Sequence, residues 1–210
     1  MNPDLIANIL SLSLFFVALF ISLRAFYVYS RSRSGRLFVL ALSMGVIALT
    51  AAAGFAGDNV TSVSLNVDWF NYIGQTVSFL FILLSFLRSE EGYLRRLIRW
   101  QVIVSLLLLI LLLLAPVLPP EFPAPAVTKT VLSGSRGVIC MIIFFYYYRA
   151  FVKKEARFSM LMSGAFLALS FGYLVILPKY IYSGMDQIDQ MGDIFRVIGL
   201  IVLLVAVSLG

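Results

Sequence analysis

The chain has 210 residues, of which 61% are hydrophobic and only 12% are charged. Soluble domains average about 45–50% apolar and about 25% charged residues, so this composition excludes an ordinary soluble fold and indicates a membrane protein. The sequence contains no histidine and a single cysteine, Cys140. Without histidine the chain lacks the usual haem ligand and the commonest zinc ligand and general base. We therefore expect neither a metal nor a cofactor.

Seven apolar runs follow one another in the sequence, and each is long enough to cross a bilayer as a helix. They predict one all-α domain over residues 1–210, a polytopic bundle of seven transmembrane helices. The predicted spans are residues 5–29, 37–57, 69–87, 100–117, 127–148, 158–177 and 189–209. Each connecting loop is short, so no separate soluble domain is expected.

Several spans carry distinctive patterns. Span four contains a nearly pure leucine run, which indicates a peripheral helix that largely faces lipid. The connection PVLPPEFPAPAV before span five is proline-rich and is predicted to be extended. Span five is interrupted by SGSRG around Arg136. This segment is either a kink whose free carbonyl groups line a cavity or a face for close helix packing.

The charges predict an orientation. The loops after spans one, three and five, with the adjoining helix ends, carry 12 of the 16 basic residues and three acids, a net charge of +9. The remaining seven acids and four bases give −3 on the opposite side and in the outer halves of the spans. Because basic loops stay cytoplasmic, we predict an external N-terminus and a cytoplasmic C-terminus. This distribution also favours the membrane surface over nucleic acid as the partner of the positive charge.

Polar and charged residues gather in one layer in the outer half of the predicted bundle. Gln75, Arg136 and Arg196 each lie about six to nine residues into their spans, and Asp193 is one turn above Arg196 on the same face. Charges inside a span are costly, so they face a protein interior and often mark a site. The candidate ligand-binding residues are Asn71, Gln75, Arg136, Tyr173, Asp193 and Arg196.

Two interpretations of this layer are open. In the first, Arg136 and Arg196 hold an anionic or strongly polar ligand in a pocket that opens to the outside. In the second, Asp193 pairs with Arg136 or Arg196 and only fixes helix packing, because buried charges must be paired.

Enzyme signatures are lacking in the sequence. It contains no nucleophile–base pair, no metal-ligand cluster, no phosphate-binding loop and no GxSxG motif, so we expect a protein that is not an enzyme. Lys179 lies beside Pro178 at the end of span six, and span seven has no lysine. This arrangement excludes a retinal Schiff base of the microbial rhodopsin type.

The seven spans, the basic cytoplasmic turns and a last span ending in GLIVLLVAVSLG resemble the seven-helix N-terminal sensor regions of bacterial histidine kinases and diguanylate cyclases. In those proteins the last helix continues into an effector, whereas this sequence ends at Gly210. The resemblance therefore implies a stand-alone sensor module in the bacterial inner (plasma) membrane. Such a module would contact membrane lipid, bind a small or lipidic ligand from outside and signal through a protein partner. The alternatives are a non-catalytic structural subunit of a larger membrane complex and a small transporter.

Overall fold

The computed structural model describes residues 3–59, 67–88, 90–114, 117, 125–181 and 186–209. Within these ranges the chain is helical and contains no strand. The helices are α1 (Pro3–Ser32), α2 (Gly35–Asn59), α3 (Asp68–Leu87), α4 (Glu91–Leu114), α5 (Ala126–Lys154), α6 (Arg157–Val175), α7 (Leu177–Ile181) and α8 (Asp186–Leu209). Seven spans are long and apolar enough to cross a membrane, with α6 and α7 together forming the sixth. The prediction of an all-helical multi-pass membrane protein with seven spans is confirmed.

The fourth helix is longer than predicted. It begins at Glu91, nine residues before the predicted start of the span at residue 100. Glu91 and Arg95 form an exposed i, i+4 ion pair at 3.1 Å, and arginine is a good helix former. Hydropathy marks where a helix leaves the lipid and does not mark where the helix begins. The prediction that residues 91–99 are a loop is therefore wrong.

The fifth helix runs through the SGSRG segment without interruption, from Ala126 to Lys154. A Cβ atom on Gly137 would lie only 2.7 Å from Cδ2 of Leu174 on α6. The Ser170 hydroxyl donates a hydrogen bond of 2.8 Å to the Gly137 carbonyl. The small residues thus serve close packing of α5 on α6, and the predicted interruption of the span is wrong.

The sixth span consists of two helices. α6 stops at Val175, and α7 begins at Leu177 with Pro178 in its first turn. Proline has no N–H with which to continue the ladder of α6, but it is tolerated in the first turn of a new helix. Lys179 and Tyr180 on α7 line the interior cleft described below.

Six helices form a closed ring. In order around the ring, α1 packs on α2, α2 on α3, α3 on α5, α5 on α6, α6 on α8 and α8 on α1. α4 lies outside the ring and contacts only α2 and α3. Its buried side chains are Leu97, Gln101 and Leu108, and Gln101 Nε2 donates to Val39 O at 3.0 Å and Ser43 Oγ at 2.9 Å. The prediction that this leucine-rich helix is peripheral is confirmed.

Apolar side chains fill the middle of the ring. Met44, Phe79, Ile143, Leu169 and Leu203 are each at most 1% exposed and belong to one cluster. We call this layer the septum, because it separates two cavities at opposite ends of the ring. The basic end is the one at which α1, α3 and α5 finish. The polar loop after span two and most of the proline-rich connection lie outside the described residues.

Candidate functional site

A cleft of about 480 Å³ lies within the ring at the end opposite the basic loops. Every ring helix except α6 contributes to its walls, together with α7. The lining residues are Ser11, Leu14, Thr50, Ala51, Gly54, Asn71, Tyr72, Gln75, Lys129, Lys179, Tyr180, Asp193, Arg196 and Val197. Most of them are polar, although they belong to helices that are otherwise strongly apolar. We call this cavity the cationic cleft.

Cations outnumber carboxylates among the described lining residues of the cleft. Lys129, Lys179 and Arg196 line it, and Asp193 is the one carboxylate among the lining residues that the structure describes. These groups give the described lining a net charge of +2. Asp193 forms an ion pair with Arg196 within α8, and both side chains are 22% exposed. The sequence left open whether Asp193 pairs with Arg136 or with Arg196, and the structure has the second pair.

Arg136 lies directly behind the cleft wall and is only 4% exposed. Its Nη1 donates a short hydrogen bond to Gln75 Oε1, and its Nη2 donates to Ser133 Oγ at 2.7 Å. Its Nε donates to Leu132 O at 3.3 Å. Among the carboxylates that the structure describes, none forms an ion pair with Arg136. The guanidinium charge is therefore held by neutral acceptors.

Gln75 connects Arg136 to two further helices. Its Oε1 also accepts a hydrogen bond of 3.4 Å from the Tyr173 hydroxyl on α6. Its Nε2 donates to Thr50 Oγ1 on α2 at 3.2 Å. Gln75 is 9% exposed, so these bonds are largely shielded from solvent and carry more weight than bonds at a surface.

Tyrosine rings alternate with the cations around the cleft. The Tyr72 ring centroid lies 5.6 Å from Lys129 Nζ and 5.2 Å from Arg136 Cζ. The Tyr173 centroid lies 4.7 Å from Arg136 Cζ and 5.5 Å from Arg196 Cζ. Each ring thus faces two cations, and a desolvated cation–ring contact is worth about 2 kcal/mol or more. The rings stabilise the cations without neutralising them.

The structure brings all six predicted residues together. Asn71, Gln75, Asp193 and Arg196 line the cleft, while Arg136 and Tyr173 are buried behind it at 4% and 2% exposure. The Asn71 Oδ1 atom is buried and has no hydrogen-bond partner among the described residues. Arg136 therefore supports the cleft wall and does not line the cleft, whereas the first of the two interpretations had it hold the ligand directly.

Sequence reasoning missed Lys129 and Lys179 and the tyrosines Tyr72 and Tyr180, whose hydroxyls lie 3.1 Å apart. A signal for the lysines was present. Only four basic residues lie outside the basic loops and their adjoining helix ends, namely Lys129, Arg136, Lys179 and Arg196. All four lie in or directly behind one cleft. The tyrosines resembled ordinary belt residues in the sequence and carried no such signal.

No protein-family model, curated protein or solved structure matches this chain. The fold and the site define its class as a multi-pass helical membrane protein with a cation-lined cleft.

Proposed function

We propose that this protein is a receptor-like sensor module that binds a small anion, or the anionic headgroup of a lipid, in the cationic cleft. The ligand enters from the side opposite the basic loops, which we take to be the outside of the cell membrane, and the bound state is passed to a protein partner. The observation that carries the proposal is the convergence of the four remaining basic residues on one cavity with a single described carboxylate.

Electrostatics supports an anionic ligand. Charges taken out of water cost several kcal/mol each unless they are compensated, and Arg136 is buried with only neutral acceptors. Arg196 shares the Tyr173 ring with Arg136, so two like charges lie close together in a poorly hydrated region. An anion in the cleft would reduce this repulsion and would be attracted by Lys129 and Lys179 as well.

The shape of the interior favours a receptor over a transporter. The septum, with side chains at most 1% exposed, separates the cleft from the basic end of the ring. The cavity beyond the septum has mainly apolar walls, so it does not continue the polar path of the cleft. The polar groups that line the cleft thus have no continuous counterpart through the middle of the bundle.

One observation favours the alternative of a structural subunit. α4 lies outside the ring and exposes a continuous apolar face that could pack on a larger membrane complex. The exposed side chains include Trp100, Ile103, Leu106, Leu107, Ile110, Leu113 and Leu114. Isolation in mild detergent distinguishes the two functions, because a stoichiometric enzyme partner supports the subunit and a kinase-type partner supports the sensor.

Anion binding is tested by thermal unfolding in a neutral detergent. Inorganic phosphate should raise the melting temperature above that in chloride of equal ionic strength, because a ligand at 100 times its Kd stabilises the folded state by about 2.7 kcal/mol. Arg196→Gln and Lys179→Gln should each reduce this rise. Asp193→Asn should enlarge it, because the Asp193 carboxylate competes with the anion for Arg196.

Lys153→Gln is the matched control for the phosphate experiment, since Lys153 is exposed on α5 near the basic end. It should leave the phosphate effect unchanged. An equal phosphate effect in the wild type and in Arg196→Gln would contradict anion binding in the cleft. Phosphatidic acid in place of inorganic phosphate shows whether a lipid headgroup is the better ligand.

The orientation that we propose is tested by cysteine labelling in intact cells. Cys140 is fully buried and can be replaced by alanine to give a background without cysteine. An impermeant reagent should label cysteines at Val63 and Ala124 but not those at Ser34, Gly92 or Lys154, because basic loops stay cytoplasmic. Labelling at Gly92 would overturn the orientation.

A further inference from the structure

A second cavity, of about 640 Å³, lies at the basic end of the ring. Every ring helix contributes to its walls, for example through Ala25, Leu40, Phe86, Tyr147, Phe166 and Val207. The cavity therefore lies inside the bundle and is not a groove on the surface that faces lipid. We call it the apolar vestibule.

The walls of the vestibule are mostly aliphatic and aromatic. Tyr147 stacks on Phe166 with ring centroids 6.2 Å apart, and Phe86 and Phe158 pack edge-on against Tyr147. The hydroxyl of Ser85, another lining residue, already donates to Ile82 O at 2.7 Å. A polar solute would find few partners on these walls, whereas a hydrocarbon chain would find many.

The charged lining residues are both cations and both lie near helix ends. Arg36 is the second residue of α2, and Lys154 is the last residue of α5. The described lining contains no carboxylate. The cavity is thus amphipathic, with an apolar interior and a cationic mouth.

The vestibule extends into the bundle by about the thickness of one bilayer leaflet. Phe166 lies nine residues after the first residue of α6, about 13 Å along the helix at 1.5 Å per residue. Half of a bilayer's hydrocarbon core is about 15 Å thick. A cavity of this volume is within the usual range for small-ligand sites, about 300–1,000 Å³.

We propose that the apolar vestibule binds a single-chain anionic amphiphile. The alkyl chain lies among Phe86, Tyr147 and Phe166, and the carboxylate or phosphate headgroup contacts Arg36 and Lys154. A two-chain phospholipid would have to leave its second chain outside the closed ring, so it fits less well. The lipid bilayer already solvates an alkyl chain, so burial of the chain alone does not favour the vestibule over the membrane. Binding is instead favoured by the contacts of the headgroup with the two cations, and the walls select the shape of the chain.

Native mass spectrometry from a neutral detergent tests the proposal. Oleate and a lysophospholipid with a phosphate headgroup are the two anionic probes, and their relative Kd values distinguish a free fatty acid from a lipid fragment. Oleyl alcohol has the same chain as oleate without its charge. We expect oleate to bind at least about tenfold more tightly than oleyl alcohol, a difference of about 1.4 kcal/mol.

The double variant Arg36→Gln/Lys154→Gln should remove this preference for oleate. The matched control is Arg149→Gln/Lys153→Gln, which removes two exposed cations from α5 that do not line the vestibule. Lys154→Glu reverses one exposed charge and keeps the test informative if substitution of Arg36 harms folding. Ala150→Leu should weaken both oleate and oleyl alcohol, because the larger side chain occupies space in the vestibule.

Three results would overturn the proposal. The first is equal binding of oleate and oleyl alcohol to the wild type. The second is an unchanged oleate Kd in both Arg36→Gln/Lys154→Gln and Lys154→Glu. The third is binding of two-chain phosphatidylglycerol as tightly as oleate with the same dependence on Lys154, which would exclude a single-chain ligand. None of these outcomes depends on phosphate binding in the cationic cleft.

Discussion

Gln75→Leu should destabilise the bundle by about 3 kcal/mol. Leucine fills a similar volume, but it removes the Oε1 atom that accepts hydrogen bonds from Arg136 and Tyr173. A hydrogen bond to a charged group is worth about 1.5–3 kcal/mol, and a buried charge that loses its acceptor has a further desolvation cost. Thermal or denaturant unfolding in detergent measures the change in stability.

The second buried glutamine provides the control for this prediction. Gln101 is 1% exposed, and its amide donates only to neutral groups. Its Oε1 has no hydrogen-bond partner in the described part of the chain. Gln101→Leu should therefore cost only about 1 kcal/mol, the scale of hydrogen bonds between membrane helices. Equal losses for Gln75→Leu and Gln101→Leu would show that Arg136 does not depend on Gln75.

A double variant shows how much of the stability loss in Gln75→Leu comes from the buried charge of Arg136 and how much from changed packing. Gln75→Leu/Arg136→Met should recover much of the loss, because both partners are then apolar. Arg136→Gln alone should change stability by no more than about 1 kcal/mol, since it also removes the repulsion between Arg136 and Arg196. A large loss in Arg136→Gln would show that the hydrogen bonds of Arg136 stabilise the bundle by more than its repulsion with Arg196 destabilises it.

Gly199→Leu should prevent α6 and α8 from packing and cost at least about 3 kcal/mol. A Cβ atom at Gly199 would lie 2.8 Å from Leu169 Cγ, 2.9 Å from Ala165 O and 3.0 Å from Leu169 N. Two of these atoms belong to the backbone of α6, which cannot rotate away as a side chain can. Overpacking commonly costs about 1–3 kcal/mol, and more where the backbone must move.

Gly164→Leu is the matched control, because Gly164 lies on α6 and a Cβ atom there meets nothing within 4 Å. This substitution should be neutral or stabilising by up to about 1 kcal/mol, since leucine has the higher helix propensity. Circular dichroism and thermal unfolding in detergent report both variants. If Gly199→Leu had the same melting temperature as Gly164→Leu, α6 and α8 would not approach as closely as described.

The α6–α8 contact has a bearing on the proposed function. α8 contributes Asp193 and Arg196 to the cationic cleft and Val207 to the apolar vestibule, so one rigid helix reaches both cavities. Gly172 on α6 packs directly on α8, where a Cβ atom would lie 2.8 Å from Gly192 O. α1, α2, α3 and α5 also line both cavities, but α8 carries the Asp193–Arg196 pair, so a change at that pair on anion binding would act on α8 directly.

The membrane spans followed from the sequence because their signal is local. Whether a segment prefers lipid depends on its own residues, and the leucine run of α4 or the apolar part of α2 needs no neighbour to be recognised. The polar layer was predictable for the same reason, since Gln75, Arg136 and Arg196 stand out wherever their helices are placed. The start of α4 at Glu91 was missed because a charged helix outside the lipid carries no hydropathy signal.

Only the tertiary structure decided which residues meet. The ring order, with α4 outside it, depends on close contacts such as Gly199 against Leu169, between residues 30 positions apart in the sequence. Arg136 donates a hydrogen bond to Gln75 on another helix, whereas Asp193 forms its ion pair with Arg196 on the same helix. Lipid offers no hydrophobic force to select helix neighbours, so packing of small residues and polar pairs between distant segments selects them. Apolar periodicity along the chain does not specify those pairs.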